Sequence, residues 1–495
     1  MMRSGNRVRP AARLESDVCV IGAGAAGISV AQALAGSKLR VALIESGGRA
    51  PDPATQALNR GTVVGSGQPP LDQVRLRFLG GTTNHWAGWS GPFAESVFEE
   101  RAWVPDSGWP ITRADLDPWY AAAHPVCDLG AWDYGEDAWG AFAAAVPKLA
   151  GSGARQRILQ HSAPTRFGEK FGPALDDAKN VHVLLDSNAV ELLADPQART
   201  IEALRVRTLA GNRFSVASRL YVLACGAIEN ARLLLASNAV SAAGLGNDRD
   251  LVGRYFMDHL RLRPAGLLLW TDPAARKLEQ FTRVGGVRAT AALELDAERQ
   301  RRDRLTHSLF FAEGPIPPDA IGAEREPDLA TARFLSALGG GPAALSEWWI
   351  RCEQSPNPES RVSLTDERDA LGQPRARLEW RLRDLDRHTL TTASLAYAES
   401  LSRAGVARVK VAPWLLREPL ATAAPITGDW HHMGTTRMAS GPDRGVVDRD
   451  CRLFDIDNLY VAGTSVFPTA GAMNPTLTLV ALALRLADHV RKRLG

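Results

Sequence analysis

The sequence has few cysteines, and none of them belongs to a short paired motif. The five cysteines of the 495-residue chain are isolated and odd in number. They are Cys19, Cys127, Cys225, Cys352 and Cys451. The lack of a C-x-x-C pair argues against a disulfide framework, a structural zinc site, an iron–sulfur cluster and attached c-type haem. This cysteine usage predicts a reducing compartment.

Long apolar runs and one-sided charge are also missing. No stretch approaches the roughly 18 apolar residues of a transmembrane helix, and the basic segment 1–15 lacks the apolar part of a signal peptide. The 58 Lys and Arg residues nearly balance the 55 Asp and Glu residues, and no like-charged run suggests a nucleic-acid-binding arm. We predict a cytoplasmic protein of two or three domains, with no membrane span and no nucleic-acid partner.

A βαβ unit is predicted near the N-terminus. Residues 17–21 form a short apolar run, which is typical of a buried parallel strand. A glycine-rich turn over 22–27, an alanine-rich helix over 28–34 and a second strand over 40–44 follow. Strand, turn, helix and strand within this length make a βαβ unit.

The turn in this unit has the spacing of a dinucleotide-binding motif, Gly22-x-Gly24-x-x-Gly27, with Glu45 at the end of the next strand. Gly22 permits the tight turn, Gly24 lets the backbone approach a pyrophosphate, and Gly27 lets the helix pack on the strand. The helix N-terminus offers unpaired N–H groups to phosphate, and Glu45 accepts hydrogen bonds from ribose hydroxyls. The motif predicts a bound dinucleotide but leaves both FAD and NAD open.

Two segments near the C-terminus carry candidate chemistry. One contains His431 and His432, and the other ends in Asn474-Pro475-Thr476. Pro475 suits the first position of a helix and Asn474 its N-cap, so a helix is predicted over about 476–493, with a second positive pole at its start. Alcohol oxidation needs a base and a polar group that holds the oxygen, which a histidine and an asparagine amide supply. From these residues alone, a pair of core or surface histidines and a simple helix cap remain the alternatives.

Four motifs together resemble the glucose–methanol–choline (GMC) oxidoreductase family. They are Gly22-x-Gly24-x-x-Gly27 with Glu45, Gly80-Gly81-Thr82-Thr83-Asn84-His85-Trp86, His431-His432-Met433-Gly434-Thr435 and Asn474-Pro475-Thr476. The resemblance spans 17–490 and is weaker over 89–160 and 260–415. Through the segment 353–362, it is closer to the pyranose oxidase-like and bacterial sugar dehydrogenase branch. It implies FAD rather than NAD.

The resemblance also implies an architecture. We expect an α/β fold in which a Rossmann-type FAD-binding domain carries an inserted substrate domain, of α+β type, built on an antiparallel sheet. The FAD-binding domain is expected to be discontinuous, over 1–90, 161–259 and 416–495. The substrate domain with its capping excursion is expected over 91–160 and 260–415, and a loop is predicted at 339–342.

Carried over by position, the family's catalytic base falls on His431, three residues before the glycine of the H-x-x-G-T pattern, and its partner falls on Asn474. The other expected cofactor contacts are Gly22, Gly24, Ala25, Ala26, Gly27, Glu45, Gly80, Gly81, Thr82, Thr83, Asn84, Val190, Ala224, Gly463, Thr464, Pro475 and Thr476. For His85 the resemblance leaves open a covalent bond to FAD or a non-covalent contact. His259 is expected to form structural hydrogen bonds where the domains meet, and no metal is expected.

The implied reaction is oxidation of a CH–OH group of a sugar, glycoside, aminosugar or polyol to a ketone or aldehyde, with hydride transfer to flavin N5. The sequence has no haem or cluster motif, so the electrons are expected to pass to oxygen, a quinone or a separate redox protein. The chain's tryptophans are expected mainly in the core, with some available to stack on sugar faces. The alternatives are a non-sugar alcohol substrate in secondary metabolism, a flavin-dependent lyase, an NAD-dependent dehydrogenase and a nucleotide-binding scaffold without turnover.

Overall fold

The structure is a computed structural model that describes residues 1–65, 67–145, 149, 151–316, 330, 333, 345–416 and 426–495. The loop predicted at 339–342 lies outside these residues. The strands, in chain order, are β1 (Met2–Ser4), β2 (Arg13–Ile21), β3 (Val41–Ile44), β4 (Thr62–Val64), β5 (Trp89–Ser90), β6 (Ala154–His161), β7 (Val181–Leu185), β8 (Asn188–Ala194), β9 (Ile201–Arg207), β10 (Arg213–Leu223), β11 (Leu260–Trp270), β12 (Thr282–Val284), β13 (Val287–Leu295), β14 (Ser308–Glu313), β15 (Leu345–Cys352), β16 (Arg361–Arg368), β17 (Pro374–Glu379), β18 (Ala407–Val411), β19 (Ile426–Gly428) and β20 (Leu459–Val461).

The α-helices are α1 (Ala25–Leu34), α2 (Pro53–Gln56), α3 (Glu95–Phe98), α4 (Arg113–Val126), α5 (Glu136–Ala145), α6 (Phe167–Asp177), α7 (Gly226–Ala236), α8 (Ala297–Asp303), α9 (Asp384–Arg403) and α10 (Thr476–Leu494). Short 3₁₀ helices cover Gly5–Arg7, Ala57–Asn59, Gly81–Asn84, Pro273–Glu279, Pro413–Leu416 and Thr464–Val466. Among the described residues, no helix has both the length and the apolar composition needed to cross a bilayer.

A mostly parallel sheet has the order β1-β7-β3-β2-β10-β9-β8, with β20 beside β10. The pairings among β1, β7, β3, β2, β10 and β20 are parallel, whereas β9 pairs antiparallel with β10 and β8. Residues 18–21 and 41–44 are buried, because helices cover this sheet and its central strands are apolar throughout. The predicted Rossmann-type fold is confirmed.

An antiparallel sheet has the order β18-β11-β15-β14-β13-β6-β5, with β12 beside β13 and β19 beside β11. Its strands come from separate parts of the chain, and α9 packs against β18, β15, β14 and β13. A third, small sheet has the order β16-β17-β4. The antiparallel sheet is the one expected for the substrate domain.

The pairing of β5 and β19 concerns the expected division of the chain into an FAD-binding domain and a substrate domain. β5 pairs with β6, and β19 pairs with β11, so both belong to the antiparallel sheet. Both nevertheless fall in the segments 1–90 and 416–495 that the sequence assigns to the FAD-binding domain. The domain boundaries themselves stay a prediction.

Candidate active site

The glycine-rich turn lies between β2 and α1. Gly22 has a φ of +104°, and a Cβ there would lie 2.6 Å from the carbonyl oxygen of Ala224. A Cβ on Gly27 would lie 1.8 Å from the carbonyl oxygen of Gly22. At Gly24, by contrast, a Cβ would meet no atom within 4 Å. Gly22 and Gly27 therefore build the turn, whereas the backbone at Gly24 faces open space that a ligand can enter.

Glu45 is buried against this turn. Its Oε2 accepts a hydrogen bond from the N–H of Ala23, and its Oε1 accepts one from the N–H of Gly47, both over 2.9 Å. Burial raises the pKa of the carboxyl group, and the N–H donors of Gly47 and Ala23 oppose that rise. Each carboxylate oxygen has a further lone pair, so Glu45 can hold the turn and still accept a ribose hydroxyl.

The structure brings the loop 80–85 against the glycine-rich turn, although the two are more than fifty residues apart in sequence. The N–H of Gly80 donates to the carbonyl oxygen of Ala23 over 2.8 Å. A Cβ on Gly81, where φ is +54°, would lie 3.1 Å from the Cα of Gly24. Glycine at these positions therefore allows one loop to lie on the other.

Two polar side chains of this loop are used within the loop itself. The hydroxyl of Thr83 donates to the Gly80 carbonyl over 2.6 Å. The amide of Asn84 donates to the carbonyls of Leu79 and Gly81 over 3.0 and 2.9 Å. These two side chains stabilise the loop, and the exposed Thr82 is the one left facing outward.

His85 closes the loop with a half-buried ring. Its centroid lies 5.9 Å from the indole of Trp430, next to the C-terminal histidine pair. Burial lowers the pKa of His85, and the positive charge of Arg166 lowers it further. The ring is therefore neutral at physiological pH.

Three of the remaining predicted contacts lie around the same turn. Ala224 follows β10 and lies against Gly22 and Gly27. Gly463, with a φ of +108°, comes directly after β20, and a Cβ there would lie 3.8 Å from the Cβ of Ala26. The hydroxyl of Thr464 donates to the carbonyl of His432 over 2.6 Å, which ties the two C-terminal motifs together.

Val190 lies where the pairing of β8 with β9 shifts by one residue, between Ala189 and Glu191. It is the extra residue of a β-bulge, and such a residue is left out of the regular ladder. Its buried side chain packs with Leu58 and Leu371.

His431 and Asn474 lie next to each other. The Nδ2 atom of Asn474 is 3.3 Å from the Nε2 atom of His431. The side chain of His431 is 18% exposed, so most of the ring is shielded from solvent while one edge stays accessible. The structure thus brings together the two residues that the sequence proposes as catalytic.

Asp258 holds the loop that carries His431. Its carboxylate accepts hydrogen bonds from the backbone N–H groups of Asp429, Trp430 and His431, over 3.2, 3.2 and 2.8 Å. It also accepts one from the side chain of Gln68 over 2.9 Å. Burial raises the pKa of Asp258 to about 6, although the donors from Gln68 and His431 act in the other direction.

Charged and polar groups surround the other edge of His431. Its Nδ1 lies 2.9 Å from Nδ1 of His259 and 3.7 Å from Oδ2 of Asp429. Burial lowers the pKa of His431 well below its usual value; Asp429 opposes this, whereas His259 and Arg351 add to it. The imidazole is therefore neutral at physiological pH. His259 is buried and forms hydrogen bonds, as expected.

Sequence reasoning missed Arg351 and Asp429. The Nη1 of Arg351 donates to Oδ1 of Asn474 over 2.7 Å, and its Nε donates to Oδ2 of Asp429 over 2.6 Å. Burial acts to raise the pKa of Asp429, but Arg351 and His431 lower it to about 2. Asp429 stands two residues before His431, which was a usable signal. No pattern in one sequence connects Arg351 with Asn474.

The expected capping role of Asn474 is wrong. The N-cap of α10 is Pro475, and it makes no side-chain capping bond. The amide of Asn474 is instead held between Arg351 and His431. The first N–H groups of α10, from Thr476 onward, therefore lack a side-chain cap and remain available to a ligand.

Aromatic rings on and next to the antiparallel sheet lie beside Arg351. This aromatic wall consists of Trp89, His161, Phe281, Phe311 and Trp349. The ring of Trp89 lies 4.9, 6.0, 5.3 and 6.3 Å from those of the other four, in that order. The guanidinium of Arg351 lies within 5.9 Å of the Trp89, Phe311 and Trp349 rings, so the wall adjoins the His431–Asn474 pair.

Most other tryptophans have structural roles, as expected. The indoles of Trp86, Trp103 and Trp348 donate to backbone carbonyls, and that of Trp109 donates to the hydroxyl of Thr469. Trp89 and Trp349 are the tryptophans that contribute to the aromatic wall.

Among the described residues, His259, Asp429 and His431 bring three possible metal-ligand atoms within 4.8 Å of one another. The two histidine Nδ1 atoms are hydrogen-bonded to each other, and Asp429 is paired with Arg351. These contacts already use the ligand atoms, and the charge of Arg351 opposes a cation. The cluster works as a hydrogen-bond network.

The chain is similar in sequence and in fold to several known proteins. Residues 356–483 match the family described as GMC oxidoreductase. The chain is 28% identical to 6'''-hydroxyparomomycin C oxidase of Streptomyces lividus, covering 97% of this chain and 92% of the relative. It is 27% identical to a C-glycoside 3-oxidase of Arthrobacter globiformis, covering 86% and 69%. The crystal structure of pyridoxine 4-oxidase from Mesorbium loti superposes with a TM-score of 0.60 at 20% identity, covering 96% of this chain and 98% of that one.

The chain is similar to GMC oxidoreductases in sequence and in fold, and it is an FAD-dependent enzyme that acts on alcohol groups. The residues present fit that cofactor. Gly24 leaves open space, the N–H groups of Ala25 and Ala26 have no partner within their helix, and Glu45 retains lone pairs for a ribose. The start of α10 offers a second positive pole for the electron-rich end of the flavin.

Proposed function

We propose that the enzyme oxidises a CH–OH group of a sugar, glycoside, aminosugar or polyol to a ketone or aldehyde. The proximity of His431 Nε2 and Asn474 Nδ2, 3.3 Å apart, is the observation that carries this proposal. When bound, FAD supplies the hydride acceptor, its N5 atom. Relatives named for hydroxyparomomycin C and for a C-glycoside support a sugar-like substrate.

His431 acts as the base in this proposal. Its Nε2 accepts the hydroxyl proton as the carbon-bound hydrogen leaves with its electron pair, and a carbonyl group results. The lowered pKa keeps the imidazole neutral and ready to accept that proton. Asp429, 3.7 Å from Nδ1, stabilises the positive charge that the ring then gains.

Asn474 positions the reacting oxygen. Its Nδ2 has two N–H groups, so it can donate to the substrate oxygen while lying beside His431. Arg351 holds the amide oxygen on the opposite side, which keeps the donors directed toward the substrate. We propose that the aromatic wall receives the CH faces of the substrate next to this pair.

We propose a non-covalent contact between His85 and FAD, and oxygen, a quinone or a separate redox protein as the electron acceptor. The expected FAD-binding and substrate domains remain part of this proposal, with the substrate entering between the two sheets. Comparing the three kinds of acceptor on the reduced enzyme identifies which of them it uses.

Anaerobic flavin reduction by a panel of sugars and polyols, followed by absorbance, tests the reaction. His431→Ala is expected to slow this reduction by roughly 10²- to 10⁴-fold, the usual contribution of a general base. His432→Ala is the matched control, because its ring lies 5.3 Å from that of Phe256, whereas the side-chain contacts of Asn474 are with Arg351 and His431. An unchanged rate in His431→Ala would remove His431 from the role of base.

The same assay separates the alternatives. In a lyase that uses FAD only structurally, no alcohol would reduce the flavin, so its absorbance would not be bleached. Bleaching by non-sugar alcohols alone would replace the sugar-like substrate with another alcohol on the same machinery.

A further inference from the structure

His259 is a buried histidine beside the proposed base, and no step of the proposed reaction uses it. Its Nδ1 lies 2.9 Å from Nδ1 of His431, and its Nε2 lies 3.2 Å from the carbonyl oxygen of Ala470. A neutral imidazole carries one proton, on either of its two nitrogens. The partners of these rings decide which nitrogen carries it.

One end of the network fixes the proton of His259. The carbonyl oxygen of Ala470 can only accept, so Nε2 of His259 must carry the hydrogen. Burial, with a further contribution from Arg351, lowers the pKa of His259 to about 4, so the ring is neutral. Its Nδ1 is then unprotonated and can only accept a hydrogen bond. The hydrogen between the two rings must therefore be bonded to Nδ1 of His431.

The contacts of Asn474 independently indicate the same tautomer of His431. A guanidinium group can only donate, so Oδ1 of Asn474 is the atom that faces Arg351. The Nδ2 of Asn474, which can only donate, therefore faces Nε2 of His431. Nε2 of His431 must therefore be unprotonated, so that its lone pair accepts this hydrogen bond. In the opposite tautomer, two donors would face each other at Nε2 and two lone pairs at Nδ1.

We propose that His259 is a positioning residue that holds the proton of neutral His431 on Nδ1 and so keeps Nε2 unprotonated, which lets Nε2 accept the substrate proton when the hydroxyl group binds there. This inference rests on the proposed role of His431 as the base. The tautomer is set before the substrate arrives, so the enzyme does not have to move a proton within the ring first.

The charged and titratable groups that act on His259 include Arg351, Asp429 and Glu353, and those that act on His431 are Asp429, His259, Arg351 and His432. Both replacements of His259 remove its own lowering effect on the pKa of His431 and leave the other residues unchanged. The difference between His259→Asn and His259→Leu therefore reports the hydrogen-bond acceptor for His431.

The first test reads the tautomer directly. The oxidised holoenzyme is labelled with ¹⁵N-histidine, and two-bond ¹H–¹⁵N correlations are recorded near pH 7.5, with the His431→Ala spectrum assigning the residue. We expect a protonated Nδ1 and an unprotonated Nε2 on His431. A hydrogen on Nε2 in the wild-type enzyme would overturn the inference.

The second test compares two replacements of His259. In His259→Asn the amide oxygen takes nearly the place of Nδ1 and can still accept from His431, whereas His259→Leu has no acceptor. We expect His259→Leu to slow anaerobic flavin reduction about 10- to 100-fold, and His259→Asn to slow it less than about fivefold, because a lost buried hydrogen bond costs on this scale. We also expect His259→Leu, and not His259→Asn, to lose the Nδ1 proton of His431.

The outcomes are distinguishable from failure of the proposed function. If His431→Ala reduces flavin at the wild-type rate, the proposed base is wrong whatever the tautomer. If flavin reduction is slow in His431→Ala but as fast as wild type in His259→Leu, the role of His431 as the base is supported and the positioning role of His259 is wrong. Should His259→Leu fail to fold, the wild-type and His259→Asn spectra still decide the question.

Discussion

Arg351 donates a hydrogen bond to the amide oxygen of Asn474, with 2.7 Å between Nη1 and Oδ1. The side chain of Arg351 is 5% exposed, and its guanidinium is paired with Asp429. Because a guanidinium has no acceptor atom, this contact determines which way the amide faces. A residue of the antiparallel sheet thus orients a side chain at the start of α10.

Replacing Arg351 should therefore affect the reaction rate through Asn474. Arg351→Lys keeps the charge but cannot bond both Asn474 and Asp429 with a planar fork. We expect it to slow anaerobic flavin reduction about 10- to 100-fold, the scale of one hydrogen bond to a charged group. Arg261→Lys is the control, because Arg261 also pairs with Asp429 but is not bonded to Asn474. Equal losses in both variants would mean that the ion pair with Asp429, rather than the amide, is what matters.

The pH profile of the reaction should reflect the lowered pKa of His431. A base works only when it is unprotonated, so activity is present above its pKa and is lost as the pH falls through it. Burial lowers the pKa of His431, so the acid limb of kcat/KM is expected well below the usual histidine value of 6.5. An acid limb assigned to His431 at or above that value would contradict this.

Asp429→Asn should move the acid limb of kcat/KM to still lower pH. Asp429 raises the pKa of His431, and its loss also leaves the lowering effect of Arg351 uncompensated. Asp429 also raises the pKa of Asp258, which is about 6, so the shift is assigned to His431 by titrating its ¹⁵N-labelled ring in both proteins. A shift toward higher pH would show that Asp429 does not act on the base in this way.

Two glycines of the dinucleotide turn should respond differently to alanine. At Gly24 a Cβ meets no protein atom within 4 Å, so Gly24→Ala is expected to fold normally and to bind FAD at least about tenfold more weakly. At Gly27 a Cβ would lie 1.8 Å from the Gly22 carbonyl oxygen, so Gly27→Ala is expected to lower soluble yield and melting temperature. Circular dichroism and FAD titration separate the two effects. Normal FAD affinity in Gly24→Ala would move the pyrophosphate away from this backbone.

Much of the parallel half of the fold could be predicted from the sequence because its signals are local. The strand predicted at 17–21 is the apolar end of β2, and the one predicted at 40–44 is β3 within one residue. β2 begins earlier, at Arg13, because it pairs with the long strand β10 from Ser215 onward. A pairing of this kind depends on residues two hundred positions away, so local patterning does not show it.

The helix α9 shows what the sequence does not reveal. It is twenty residues long and lies within 260–415, where the sequence analysis predicts no individual helix. Its buried positions include Thr389, Ser394 and Ser400, whose hydroxyls bond to backbone or to other side chains. The apolar residues of the buried face, Leu390, Ala393, Tyr397 and Leu401, are interrupted by these small polar ones, and Leu395 is exposed. The apolar stripe on which pattern reading depends is therefore weak. Arg351 was also missed by local pattern reading, because its position beside Asn474 depends on how distant parts of the chain pack together.

His85 is expected to contact FAD without a covalent bond. Acid precipitation of the holoenzyme should therefore release the yellow colour into the supernatant, and His85→Ala should leave the released cofactor unchanged in mass. Colour that stays with the protein pellet and disappears in His85→Ala would establish the bond instead.

Trp89 is expected to determine substrate affinity rather than the rate of the chemical step. It is half-buried, and its ring is in contact with every other member of the aromatic wall, so it presents a flat surface next to Arg351. Trp89→Leu is expected to raise KM about tenfold with a smaller change in kcat, since aromatic packing contributes about 1 kcal/mol or more. Trp103→Leu is the matched control: its half-buried indole donates to the carbonyl of Leu305 and lies outside the wall. It should lower stability while leaving KM unchanged. Equal KM values for wild type and Trp89→Leu across the sugar panel would mean that the substrate does not reach the aromatic wall.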